Sequence, residues 1–259
     1  MSYLKKAVKG ASFVFFSESL SYILAYIFTL IVARSLPVKS VGLIYAIVGF
    51  FGLFMIIYDL GLNSSLVKFI PEFKIQKAWS KIKSAIILSL GGNIIMTVLI
   101  AAIILMFGSS LESHYFKASG AAIGLAVYAI AFVLAPVYNI SNSTSQGFQD
   151  FVSFSTTRLV KSAATLLSTV VLFSLGFSFI SPLMGYAIGT LVASLLFFWV
   201  IKRNFPAFWK IKKPVQLSLV KPFLVYGIPT LLLALSQNII AYVNMNTQFF
   251  TRRFKFINS

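Results

Sequence analysis

The chain has 259 residues, of which 59% are hydrophobic and only 10% charged, against roughly 25% charged in an ordinary soluble domain. Its 22 basic and 5 acidic side chains cannot cover the apolar remainder with a water-compatible surface, which all but excludes a soluble fold. No cysteine is present, which removes disulfide frameworks, Cys-based zinc sites and thiol catalysis, and His114 as the single histidine argues nearly as strongly against His-based metal clusters and Ser-His-Asp chemistry.

The formal charge of +17 raises the question of nucleic acid, and the placement of the charge answers it. The basic residues lie between apolar blocks, a pattern suited to loops facing an anionic inner leaflet and unlike a nucleic-acid groove. A hydrocarbon core of about 30 Å takes about 20 apolar residues in a helix, and seven stretches qualify. Span 1 runs near Ala11–Ala33, span 2 Val41–Leu60, span 3 Ala85–Phe107, span 4 Ala121–Ile140, span 5 Ser155–Gly176, span 6 Pro182–Ile201 and span 7 Phe223–Val243. Span 1 is too long for a cleavable signal peptide and has no small-residue cleavage site before Arg34, so it is read as a retained helix. The blocks are continuous and not alternating, which selects helices over barrel strands. The expected fold is therefore all-α, a polytopic membrane bundle of about seven helices.

With the N-terminus in the cytoplasm, sixteen basic residues from Lys5 to Lys221 gather on the inner side and six on the outer, so the positive-inside rule selects that orientation. The segments Lys68–Lys83 and Lys202–Lys221 then read as short basic connectors on the inner side. Three of the six outer basic residues, Arg252, Arg253 and Lys255, fall in the tail Asn244–Ser259, where the pattern breaks down. The expectation is a truncated, frameshifted or split version of something longer, with a natural seven-helix protein as the alternative.

Span 1 carries Glu18 in its inner half, and span 2 carries Asp59 near its inner end. An intramembrane carboxylate needs a partner or water. Either could pair with Arg158 or Lys161, or bind a coupling cation or proton. Span 3 holds Asn93 behind Gly91 and Gly92, suited to an interhelical hydrogen bond or to a substrate contact. Span 4 has Gly120 and Gly124 at four-residue spacing, and Pro136 and Pro229 are expected to bend spans 4 and 7. The run Tyr138–Gln146 is polar and uncharged, either a helix end bordering a wet cavity or a polar loop. The Asn63, Asn139 and Asn142 sequons fall on the inner side and are not read as glycosylation sites.

Span 5 is the most informative. Ser155, Arg158, Lys161, Thr165 and Ser168 recur every three or four residues and form one polar stripe. One reading has Arg158 and Lys161 snorkelling to the inner headgroups; the other has them lining a water-filled cavity that attracts an anionic head group. Span 6 places Gly185, Gly189 and Ala193 on one face, where a neighbouring backbone can come close. No catalytic grouping emerges, no cofactor or metal site is implied, and an enzyme is not expected.

The segments ARSLPVKSVGLIYAI (33–47) and YDLGLNSSLVKFIPE (58–72) carry a resemblance to the polysaccharide-type branch of the multidrug/oligosaccharidyl-lipid/polysaccharide exporter superfamily. Arg34, Gly42, Asp59, Gly61 and Pro71 stand at its recurring positions; GFQDF (147–151), Arg158 and YGIPTLL (226–232) are similar to later parts of it. The resemblance implies two six-helix lobes that flip lipid-linked sugars by alternating access, with no catalytic residue. On it, residues 1–203 are a six-helix lobe, 204–221 a basic cytoplasmic connector and 222–259 the first helix of an incomplete second lobe with an atypical tail. It implies a prokaryotic cytoplasmic membrane, a polyprenyl diphosphate-linked oligosaccharide as partner beside membrane lipids, and a missing second lobe. It agrees with the separate reading of the spans, in which the expected cavity residues are Arg158, Lys161, Thr165, Ser168 and Asn93, with Glu18 and Asp59 for ion coupling or charge pairing. The competing functions are a cation- or proton-coupled drug exporter of the same superfamily, which would favour an acidic cavity, and a non-transporting scaffold or receptor.

Overall fold

The computed structural model describes residues 3–233, 235 and 236. The tail Asn244–Ser259 and the second half of span 7 lie outside the described residues. Among these residues every regular element is helical. Among the described residues five helices are long and apolar enough to cross a bilayer: α1 (Tyr3–Ser35), α2 (Val38–Asp59), α4 (Trp79–Met106), α6 (Ala121–Gly147) and α8 (Ile180–Asn204). Helix α7 (Phe151–Ser174) is equally long, but its charges and hydroxyl side chains lower its apolarity. The seventh span begins as α9 (Leu217–Leu233), opened by a 3-10 turn.

One element was not expected. The segment read as a connector after span 2 contains an amphipathic helix, α3 (Leu62–Ile75), which buries Ser65, Leu66, Ile70 and Phe73 against α4 and α6. Its start is set by backbone chemistry. Leu60 and Gly61 both take left-handed φ angles, 47° and 73°, ending α2 and reversing the chain, and the Asn63 N–H of the new helix donates to Asp59 Oδ1 at 3.1 Å. A carboxylate suits a helix start, where unpaired amides and the dipole favour negative charge.

At the far end of the bundle, α4 runs through the short α5 (Gly108–Ser110) into a π-helical turn, Leu111–Phe116. There Glu112 accepts from the Gly120 and Ala122 amides at 3.2 and 2.7 Å, capping α6. Gly120 has φ 88°. It therefore belongs to the turn, and only Gly124 of the pair singled out in span 4 is inside the helix, packed against Ile47 and Leu183. Helix α6 continues past Pro136 and through the polar run to Gly147, so that run is helix and not loop. Ser141, Thr144 and Ser145 are fully buried in it.

Helices α6, α7 and α8 pack tightly together, α1 lies on α7, and α2, α3 and α4 pack on α6. The small-residue face of α8 meets α7 as the spacing suggested: a Cβ at Gly189 would lie 3.0 Å from the Lys161 carbonyl, and one at Gly185 3.1 Å from that of Thr165. Two apolar clusters result, one around Phe51, Tyr58 and Phe132, the other around Ile70, Phe148, Phe205 and Phe223. The second gathers the ends of α3, α4, α6 and α8 with the connector at one end of the bundle, which also carries most of the lysines. Exposed Phe15, Leu167 and Val171 form the outward apolar surface that a bilayer, not water, would cover.

Candidate functional site: a cationic recess between four helices

Helices α1, α6, α7 and α8 leave between them a recess of about 250 Å³, lined by Ser21 and Phe28 of α1, Tyr138 of α6, Arg158, Lys161, Ser162 and Thr165 of α7 and Tyr186 of α8, with Tyr22 exposed at its edge. Arg158 Nη1 lies 3.0 Å from Glu18 Oε2; the two side chains are 35% and 19% exposed. Glu18 Oε1 is buried without a hydrogen-bond partner among the described residues. The Lys161 ammonium lies 4.2 Å from the centroid of the Tyr138 ring and the Arg158 guanidinium 5.4 Å from that of Phe154. Rings of this kind hold a cation by their electron-rich faces without neutralising it. Two cations against one carboxylate leave the recess with a net positive charge.

The polar stripe read from span 5 divides. Arg158, Lys161 and Thr165 reach the recess. Ser155 is fully buried and its hydroxyl unpartnered among the described residues. Ser168 is not in the recess wall: its hydroxyl donates to the Ala164 and Thr165 carbonyls of its own helix, a local bond typical of helical serine. A Cβ on Gly189 would meet Thr165, so α8 holds this part of the wall from behind.

Asn93 and Asp59 stand elsewhere. The Asn93 amide donates to Asp59 Oδ1 at 3.2 Å, beside the Asn63 N–H at 3.1 Å, and Asn93 is fully buried. Asp59 is thus held by neutral donors between α2, α3 and α4, away from Arg158 and Lys161. Next to it, Asn139 donates to the Tyr58 hydroxyl at 2.6 Å, and Asn142 accepts from Thr157 at 2.5 Å, so these two sequon asparagines serve helix packing. Sequence reasoning missed the aromatic side of the recess: Tyr138 had been grouped with the polar run, and Phe28 and Tyr186 appeared as ordinary span residues. Tyr186 stands one position after Gly185, and its edge-to-face contact with Phe28 at 5.1 Å closes the end of the recess.

Long apolar helices, polar groups turned inward and apolar side chains turned outward define a multi-pass membrane protein. The chain belongs to the polysaccharide biosynthesis protein family, whose model matches residues 7–253, and so to the superfamily that its motifs resemble. It is 25% identical over 240 residues to an uncharacterised membrane protein of Methanocaldococcus jannaschii, covering 88% of this chain and 47% of that one. Its fold matches a solved multidrug resistance MATE family transporter of the MOP superfamily, captured in an outward-facing conformation, with a TM-score of 0.70 and 19% identity, over 91% of this chain and 53% of that one. The chain spans about half the length of each.

Proposed function

We propose that this chain contributes one six-helix lobe and the following helix of a transporter that moves a lipid-linked oligosaccharide across the cytoplasmic membrane, its N-terminus on the cytoplasmic side. The recess between α1, α6, α7 and α8 receives the anionic diphosphate, the sugar passes along the lobe and the lipid tail remains in the bilayer. The observation that carries the reading is the Arg158 and Lys161 pair, inside the bundle and opposed, among the described residues, by Glu18 alone. Family membership supports the polysaccharide connection. Moving a phosphate across an apolar layer requires charge compensation and no bond cleavage, and the recess offers two cationic side chains for that compensation.

A drug exporter is the second reading, favoured by the fold match; a recess with two cations to one carboxylate would repel cationic drugs. The test is binding of a fluorescent polyprenyl diphosphate-linked oligosaccharide to the purified full chain, beside the corresponding uncharged polyprenyl alcohol. Arg158→Gln with Lys161→Gln should weaken the diphosphate about tenfold or more, the loss of one or two charge-assisted hydrogen bonds, and leave the alcohol unaffected. Equal binding by wild type and variant removes these residues from the mechanism.

A further inference from the structure

The segment from Phe205 to Gln216 is a strap laid across the basic end of the bundle. Phe205 and Phe208 point inward and are buried. Lys83 Nζ donates to the Ile211 carbonyl at 2.7 Å, and the Gln216 N–H donates to Ser84 Oγ at 3.1 Å, which fixes the strap to the start of α4. Its outward side carries Lys210, Lys212 and Lys213, with Lys202 beside them at the end of α8, all exposed.

These four lysines have no counter-charge among the described residues. All five acidic side chains of the sequence are accounted for: Glu18 is with Arg158, Asp59 with Asn63 and Asn93, Glu72 with Gln76, Glu112 with the start of α6 and Asp150 with Arg203. Neighbouring Lys74, Lys81 and Lys83 lie over Phe148, Phe73 and Phe208; none of the four has such a partner among the described residues.

A second observation is independent of charge. The chain has three tryptophans, and all stand at this end. Trp209 of the strap stacks on Phe198 and is 60% exposed, Trp199 lies under Arg203, and Trp79 meets Phe205. No indole N–H has a protein acceptor among the described residues. A half-exposed ring with a free donor beside unpaired lysines and exposed Phe198 and Leu217 matches the headgroup layer of a membrane, where one side is apolar and the other anionic and wet. Nucleic acid or an acidic protein would satisfy the lysines and leave the apolar surface uncovered.

We infer that the strap and the end of α8 form a binding surface for anionic phospholipid headgroups, with Lys202, Lys210, Lys212 and Lys213 taking the phosphates and Trp209 set among the first carbons of the chains. Because the strap is pinned at both ends, the lysines are presented on a fixed backbone.

The test uses the full chain with Trp79→Phe and Trp199→Phe, leaving Trp209 as its fluorophore, in mixed phosphatidylglycerol and phosphatidylcholine vesicles. Bromines are placed just below the headgroup of one lipid or the other. At equal mole fraction, brominated phosphatidylglycerol should quench Trp209 well beyond random mixing. Lysine near an anionic surface contributes about fivefold in affinity, so the enrichment should be about tenfold or more, fall in high salt, and disappear on changing the four lysines to Gln. Lys39→Gln with Lys117→Gln, at the far end, should leave it unchanged. Equal quenching by the two lipids, or an enrichment that survives the four substitutions, overturns the inference.

Discussion

Two carboxylates inside the bundle are held in opposite ways. Glu18 pairs directly with a guanidinium that lines the recess, and its other oxygen has no hydrogen-bond partner among the described residues. Asp59 is tied by a backbone and a side-chain amide at a helix start. A carboxylate fixed by neutral donors has little reason to exchange partners. One that shares a recess with an excess of cations can give up its partner to an incoming anion, and what teaches the difference is the partner, not the acid.

The strongest way to break this contrast is to move the wall behind Lys161 and Thr165. Gly189→Leu should force α8 away from the Lys161 carbonyl and Thr165, costing about 3 kcal/mol as an overpacked contact and collapsing thermal stability in detergent. Gly42→Leu is the control, since nothing lies within 4 Å of its Cβ position, and should leave the unfolding temperature unchanged. Next comes the ion pair. Arg158→Gln strands Glu18 and should cost about 2 kcal/mol, allowing for its partial exposure; adding Glu18→Gln should recover much of that, a coupling that a double-mutant cycle reads directly. If the two substitutions simply add, the pair is incidental. Asp59→Asn should cost about 1 kcal/mol or less, because an amide oxygen can still accept from Asn63 and Asn93.

The smallest effect belongs to Asp150, in the turn outside the spans. Burial alone would raise its carboxyl, but bonds from the Ser153 hydroxyl and amide, the Arg203 charge and the Asn204 amide together hold it below the ordinary carboxylate value. A lowered folded value means that its stabilisation is complete above the unfolded value of about 4 and disappears as pH falls through the folded one. Asp150→Asn should therefore lower the unfolding temperature by about 2 °C near neutral pH and flatten its acid limb. An unchanged limb would show that the turn draws nothing from the charge.

The long helices were legible because hydropathy over about 20 residues is a strong signal. Helix α3 was not. Its buried Leu66, Ile70 and Phe73 are interleaved with Lys68, Glu72 and Lys74, so an average over the window reads basic connector, while the three-to-four-residue spacing of the apolar positions carried the helix signal. For the site, charge and spacing found Arg158, Lys161, Thr165 and Glu18. They could not separate Ser168 and Asn93, because a polar residue in a helix shows its face only once the neighbouring helix is placed. Tyr138 and Tyr186 were hidden for the same reason: among 11 tyrosines and 27 phenylalanines, nothing local marks the ones that close a recess.

The turn after α2 leads to one more consequence. A Cβ on Gly61 would collide with the Gly227 backbone, and one on Gly227 would press on the Leu60 carbonyl, while Ser65 Oγ donates to the Phe223 carbonyl alongside at 2.9 Å. Two stretches far apart in the chain therefore share a single backbone-to-backbone seam. A hybrid assembled from two relatives and joined anywhere between these positions inherits half of that seam from each parent. It should assemble only when both parents bring glycine to their side, which makes residues 61 and 227 a pair to be exchanged together.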